Sequence, residues 1–101
     1  MDSTIRHKIP KIKAILRQNH VQRAYLFGSV CTERFNENSD VDVLIAFADD
    51  LDPITYGESY FAIAAALETL LQRSVDLVTE RSLKNPYFVR QLNLTKTLIY
   101  E

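Results

Sequence analysis

The stretch over residues 25–45 constrains this chain most, because a glycine-serine pair and two closely spaced aspartates lie between two apolar segments. The first segment ends at Gly28 and Ser29, and ten residues later Asp40 and Asp42 open the second. Short apolar runs bounded by Gly, Ser, Asn and Asp are typical of strands. The pattern therefore predicts a strand, a loop and a second strand that carries paired carboxylates.

The two aspartates are candidate metal ligands. Side chains alternate between the faces of a strand, so Asp40 and Asp42 project side by side from one face while Val41 faces the other. Two adjacent anions repel each other unless a positive charge lies between them. Mg2+ is suited to this position, because it takes oxygen ligands and keeps the rest of its shell for water and substrate phosphates.

The glycine-serine pair is a candidate phosphate site. Gly28 lets a phosphate approach the backbone without a side chain in the way. Ser29 begins a short helix predicted over 29–34, so that its hydroxyl adds to the exposed N–H groups of a helix start. The single cysteine, Cys31, cannot form an internal disulfide and is interpreted as a half-buried filler.

Length and composition limit the protein further. With 101 residues there is room for one domain, residues 1–101, and a second substrate must be met at an open surface. No apolar run approaches the roughly 20 residues that cross a bilayer, and the polar N-terminus lacks the core of a signal peptide, so we expect a cytoplasmic protein without membrane association. A net charge of -1 argues against binding of duplex nucleic acid.

Charge is unevenly distributed along the chain. Residues 1–34 hold seven basic residues against two acids, whereas residues 36–80 hold ten acids against one base. A basic third beside an acidic middle suits a site that holds triphosphate and metal together. Solvated faces that happen to segregate would give the same pattern.

The remaining patterns predict an α/β (α+β) fold, a small mixed sheet backed by helices. The first helical pattern covers 3–19, and the helix either begins at Pro10 or kinks there. Asp52 caps a long helix over 54–73, and Asn85 caps a last helix that ends near 94. The predicted strands are 21–27, 40–47, 74–78 and an edge strand at 97–100.

Asp76 lies in the middle of the short apolar strand over 74–78. A carboxylate in that position is costly unless it is paired or ligated, so the same cation is its expected partner. The alternative is that Asp40, Asp42 and Asp76 are exposed acids at strand ends.

Taken together, Gly28 and Ser29, the ten-residue spacer, Asp40 and Asp42, and the later Asp76 resemble the DNA polymerase β-type nucleotidyltransferase superfamily. The small size resembles its minimal nucleotidyltransferases (MNT). The resemblance implies a polymerase β-like fold in which Gly28 and Ser29 hold the β- and γ-phosphates of ATP. It also implies that Asp40 and Asp42 bind two Mg2+ ions, while Asp76 completes one metal site and helps to deprotonate the attacking hydroxyl.

The loop after the serine departs from the family pattern. Many members continue with a small residue, an arginine and a glycine, whereas this chain continues Val-Cys-Thr-Glu-Arg. Arg34 is the basic residue that could reach the phosphates from a displaced position. The departure bears on catalytic efficiency more than on fold.

MNT proteins of this size resemble antitoxins that accompany a HEPN ribonuclease toxin. The resemblance implies an enzyme, a protein adenylyltransferase that transfers AMP from ATP to a tyrosine hydroxyl of the toxin within a hetero-oligomer. A second hypothesis is a binding module that neutralises the toxin by occlusion. A third is a small-molecule nucleotidyltransferase, although that class generally carries an acceptor-binding domain for which this length leaves no room.

Overall fold

The computed structural model describes all 101 residues and contains one four-stranded sheet with three α-helices. The helices are α1 (Ser3–Gln18), α2 (Pro53–Leu71) and α3 (Pro86–Thr95). The strands are β1 (Val21–Phe27), β2 (Val41–Phe47), β3 (Val75–Thr79) and β4 (Thr97–Tyr100), in the spatial order β3-β2-β1-β4. The strand β1 is antiparallel to both β2 and β4, and β2 is parallel to β3. The predicted mixed sheet and its edge strand are confirmed.

One face of the sheet packs against α1 and α2 and forms the main core of 16 buried residues. Alternate residues of β2 point into it, among them Val41, Val43 and Ile45, all with no measurable exposure. They meet Ile12 from α1 and Ile63 from α2. Burial of each such side chain contributes about 1.5–3 kcal/mol, so this face fixes which side of β2 is left for polar residues.

The opposite face of the sheet is covered in part by α3. Phe27, Leu44 and Leu92 form a second, smaller cluster there, and the Phe88 ring meets the Phe27 ring edge-on with centroids 5.9 Å apart. Because side chains alternate along a strand, Asp42 shares this face with Leu44. Asp42, the acidic residue of β2, therefore lies on the α3 side, opposite the face of Val41.

Side chains cap the helices where the sequence indicates. Asp52 accepts a hydrogen bond from the Thr55 N–H at 2.9 Å, and Asn85 caps α3. The first helix begins at Ser3, where the Asp2 carboxylate accepts from the Ile5 N–H, and it runs through Pro10. The alternative that this helix begins at the proline is therefore wrong.

The short helix predicted over 29–34 is wrong in length, because only a 3-10 turn at Gly28–Cys31 forms. Thr32 ends it by donating both its N–H and its hydroxyl to the Ser29 carbonyl at 2.9 Å. The backbone of Thr32 is already extended, with φ -126° and ψ 171°. None of the helices in the fold combines the length and apolar character needed to cross a membrane.

Candidate active site

The register of the parallel strands β2 and β3 brings the predicted acids together. Asp42 is the direct partner of Asp76, and paired residues of neighbouring strands point to the same face. Asp40 lies immediately before β2, two positions before Asp42, and its negative charge is close enough to raise the pKa of Asp42. The three carboxylates therefore lie together at one end of the sheet, on the side of α3.

Asp42 is the acid that the fold accommodates least well. Its side chain is half-buried, whereas Asp40 and Asp76 are exposed. Burial raises the pKa of Asp42 from 3.8 to about 6, with smaller contributions from the negative charges of Asp76 and Asp40. The negative charges of Asp76 and Asp40 thus lie close enough to Asp42 to oppose its ionisation.

The cluster has no neutralising partner within the protein. None of the three carboxylates accepts a hydrogen bond from a side chain or the backbone, and the one ion pair of the chain joins Arg23 to Glu80 at the other end of the sheet. Unpaired carboxylate oxygens on one face are the donor set that Mg2+ prefers, so these residues fit the metal chemically. As they stand, the side chains do not converge into a group of three ligands around one point. Binding would therefore require the exposed Asp40 and Asp76 side chains to turn toward Asp42.

Gly28 lies directly against this cluster. It follows Phe27, the β1 partner of Asp42, and its φ of +74° lies in the left-handed region that favours glycine. A Cβ atom at this position would overlap Oδ2 of Asp42. The lack of a side chain is thus required twice, by the backbone conformation and by the adjacent carboxylate.

Ser29 and Arg34, the other predicted nucleotide contacts, differ in their surroundings. Ser29 is half-buried in the 3-10 turn, and its hydroxyl makes no hydrogen bond within the protein, so it can donate to a ligand. Arg34 is exposed and forms no ion pair, and only its backbone is held: its N–H donates to the Thr32 hydroxyl and its carbonyl oxygen accepts from the Asn36 side-chain amide. A phosphate contact from Arg34 stays a prediction.

Sequence reasoning overlooked Arg73, which holds the loop that leads to Asp40. Its Nη1 donates to the carbonyl oxygens of Asn36 and Ser39 at 2.9 and 2.6 Å, and its guanidinium lies 4.3 Å from the centroid of the Phe35 ring. The sequence feature that could have identified it is its position as the one basic residue among residues 36–80. A lone cation in an acidic segment indicates a structural partner.

The largest surface cavity, about 470 Å³, lies at the other end of the sheet. Arg23, Glu80, Arg81 and Tyr56 line part of it, and none of the candidate site residues does. A search for cavities alone would therefore not identify the carboxylates as a site. Their register and unpaired charge identify them instead.

Known proteins are similar to this chain in sequence and in fold. Residues 10–101 match the family model described as Polymerase beta, Nucleotidyltransferase. A Methanocaldococcus jannaschii protein, named provisionally as a protein adenylyltransferase, is 33% identical over 99 residues, which cover 97% of this chain and 95% of that protein.

Two solved structures of toxin-antitoxin complexes have similar folds. A toxin-antitoxin crystal structure with AMP-PNP gives a TM-score of 0.70 at 32% identity, covering 90% of this chain and 71% of the matched chain. A structure of the tri-AMPylated Shewanella oneidensis HEPN toxin with its MNT antitoxin gives a TM-score of 0.65 at 29% identity, covering 93% and 70%. With the family match over residues 10–101, these likenesses establish that the chain belongs to the polymerase β nucleotidyltransferase family.

Proposed function

We propose that this protein is a Mg2+-dependent adenylyltransferase that transfers AMP from ATP to a tyrosine hydroxyl of a HEPN ribonuclease toxin and thereby acts as its antitoxin. The observation that carries the proposal is the pairing of Asp42 with Asp76 beside the side-chain-free backbone of Gly28. This arrangement leaves an acidic face next to a point where a phosphate can approach. The similar proteins include one complex with AMP-PNP and one with an AMPylated HEPN toxin.

The residues divide into two groups by the chemistry they offer. Asp40, Asp42 and Asp76 would hold Mg2+, and Gly28 and Ser29 would hold the triphosphate. Bound Mg2+ would supply charge stabilisation at the attacking and leaving oxygens. The protein itself would position ATP and the acceptor, which is most of what catalysis of phosphoryl transfer requires.

The reaction is a substitution at the α-phosphorus of ATP. A bond forms from the tyrosine oxygen to that phosphorus, and the bond to pyrophosphate breaks. Asp76 would accept the phenolic proton, a role that the family resemblance implies and that is supported by its exposed carboxylate, which has no hydrogen-bond donor within the protein. Pyrophosphate leaves with the electron pair of the broken bond.

The acceptor would come from a protein and not from a small molecule. The three carboxylates lie at one end of the sheet, on the face that α3 covers only in part, and the exposure of Asp40 and Asp76 leaves this end open around a small acceptor. A toxin docked there would form a hetero-oligomer with this protein and would supply both the tyrosine and the surface that closes the site. The supply of ATP and the intracellular target place this reaction in the cytoplasm.

The test is to incubate the protein with a HEPN ribonuclease of the same genome, Mg2+ and ATP, and to measure the intact mass of the ribonuclease. We expect the mass to increase by one or more AMP groups and the ribonuclease activity to fall. Asp42→Asn should abolish the mass increase. Asp50→Asn, at an exposed acid in the turn before α2, is the matched control and should leave the mass increase intact. An unmodified ribonuclease that is bound tightly would refute the enzymatic proposal.

Inhibition by occlusion is the second candidate function. It is favoured by the loop after Ser29, which lacks the arginine at the family position and leaves Arg34 exposed. In that case the Asp40→Asn, Asp42→Asn double variant would still suppress the ribonuclease at equal molar amounts. Loss of suppression in the double variant, with binding retained, would exclude occlusion as the sole mechanism.

A further inference from the structure

The last residue of α3, Thr95, contacts the 3-10 turn Gly28–Cys31, which we call the nucleotide loop. The two residues in contact, Gly28 and Thr95, are 67 positions apart in the sequence. Thr95 Oγ1 accepts a hydrogen bond from the Gly28 N–H at 2.8 Å. This contact joins the end of α3 to the residue that lies against the Asp42 carboxylate. No pattern in the sequence indicates the contact, because neither residue type reveals a partner so far along the chain.

A second contact attaches the other end of the same 3-10 turn. Thr97 Oγ1 lies 3.6 Å from Sγ of Cys31, which is half-buried as expected, and 3.1 Å from the carbonyl oxygen of Thr95. Gly28 and Cys31 are the first and last residues of the turn. The connection between α3 and β4 thus holds the nucleotide loop at both ends.

The hydrogen bond with Thr95 determines whether the Gly28 N–H is available to a ligand. Because the Gly28 N–H is already bonded within the fold, it is not available to a phosphate. The Ser29 hydroxyl, which has no partner within the protein, would then be a donor to the phosphate. Gly28 is also held in a left-handed conformation beside Asp42. A small rotation of its peptide would move both the phosphate approach and the carboxylate of the candidate metal site.

We propose that Thr95 is a positioning residue for the nucleotide site, which fixes the Gly28 peptide so that the Ser29 hydroxyl would face the triphosphate while the Asp42 carboxylate would face its Mg2+ ion. The inference rests on the proposed function, because it assumes that ATP occupies this site. Thr95 itself does not touch the nucleotide. Its hydroxyl acts by accepting the hydrogen bond of Gly28.

The test compares three variants for binding of AMP-PNP in the presence of Mg2+, measured by titration calorimetry. Thr95→Val keeps the shape and removes the acceptor, so we expect the Kd to rise about tenfold because the Gly28 peptide loses its half-buried partner. Thr95→Ser restores the acceptor and should return the Kd to within about twofold of the wild type. Ser82→Ala is the control, because it removes a 2.8 Å hydrogen bond to the Thr79 carbonyl at the other end of the sheet. It should leave the Kd unchanged even if it lowers the Tm.

A Thr95→Val variant that binds AMP-PNP with the wild-type Kd overturns the inference, whatever its Tm. If that variant does not fold, hydrogen exchange in the wild-type protein gives the answer. The chain has only two glycines, so the Gly28 amide can be identified by NMR. We expect it to be protected and to stay protected when Mg2+ and AMP-PNP are added. Exchange at the rate of an unfolded chain would refute the contact with Thr95. Failure of the wild type to bind AMP-PNP would instead refute the proposed function, and the exchange measurement would still report on Thr95.

Discussion

Replacing Asp42 by asparagine should stabilise the protein at neutral pH while it abolishes transfer. The side chain is half-buried next to two other carboxylates, so its negative charge opposes folding. Asparagine has nearly the same shape and carries no charge. The expected result is a variant that unfolds at higher urea concentration than the wild type and leaves the toxin unmodified.

The magnitude follows from the pKa of Asp42. A rise from 3.8 to about 6 corresponds to at most about 3 kcal/mol. Because water screens a half-buried group, we expect about 1–2 kcal/mol. The folded protein holds the Asp42 proton to higher pH than the unfolded chain, so it binds more protons between about pH 4 and 6. The unfavourable contribution is therefore absent below the unfolded pKa, grows as pH rises through this window, and is complete above it.

Urea unfolding of both proteins at pH 8, 6 and about 4 measures this difference, and comparison at each pH cancels the titration of other groups. Asp50→Asn is again the control for removal of an exposed acid. Added Mg2+ should stabilise the wild type more than the Asp42→Asn variant, since the metal would bind the folded state through that carboxylate. Equal or lower stability of the variant at pH 8, or a gain that persists at low pH, would refute the reasoning.

Three further substitutions test the surroundings of the site. Gly28→Ala should cost about 2 kcal/mol or more in the free energy of unfolding measured with urea, because of its φ of +74° and the overlap with a carboxylate. In the same experiment Gly57→Ala, in α2 with open space around the new Cβ, should be neutral or stabilising by up to about 1 kcal/mol; equal costs at both glycines would contradict this. Arg73→Ala should lower the free energy of unfolding by about 1–2 kcal/mol and weaken Mg2+ binding in calorimetry, because it frees the loop before the first aspartate; unchanged Mg2+ affinity would show that the loop is held without it. Glu80→Gln breaks the ion pair between Glu80, whose side chain is 30% exposed, and Arg23, whose side chain is 39% exposed. It should leave transfer of AMP unchanged in the mass assay; a fall in transfer would mean that the two ends of the sheet are coupled.

The arrangement of Asp40 and Asp42 on one face was predictable, because strand alternation and the apolar residues between them allow no other placement. The strand that holds Asp76 was also predictable from its composition. The pairing of Asp76 with Asp42 was not, since register depends on how two distant strands pack on the same core.

Local competition in one turn and contacts distant in sequence account for the rest of what was missed. The 3-10 turn is shorter than the predicted helix because Thr32 folds back on Ser29, a local competition that composition does not resolve. Arg73 could have been singled out by its isolation among acids, but its acceptors are backbone carbonyls, which every sequence contains. Arg34 stays a prediction, because its exposed side chain has no partner in the fold.

The two ends of the sheet differ in whether their charged side chains have partners of opposite charge. At one end Arg23 and Glu80 satisfy each other through paired contacts of 2.9 and 2.7 Å, and that end needs nothing from outside. The other end keeps its carboxylates unmatched, so a cation bound there would stabilise the folded protein. Under the proposed function, a cell depleted of that cation would hold a protein that is both inactive and easier to unfold and degrade, so that the lifetime of the molecule would follow the supply of its ligand.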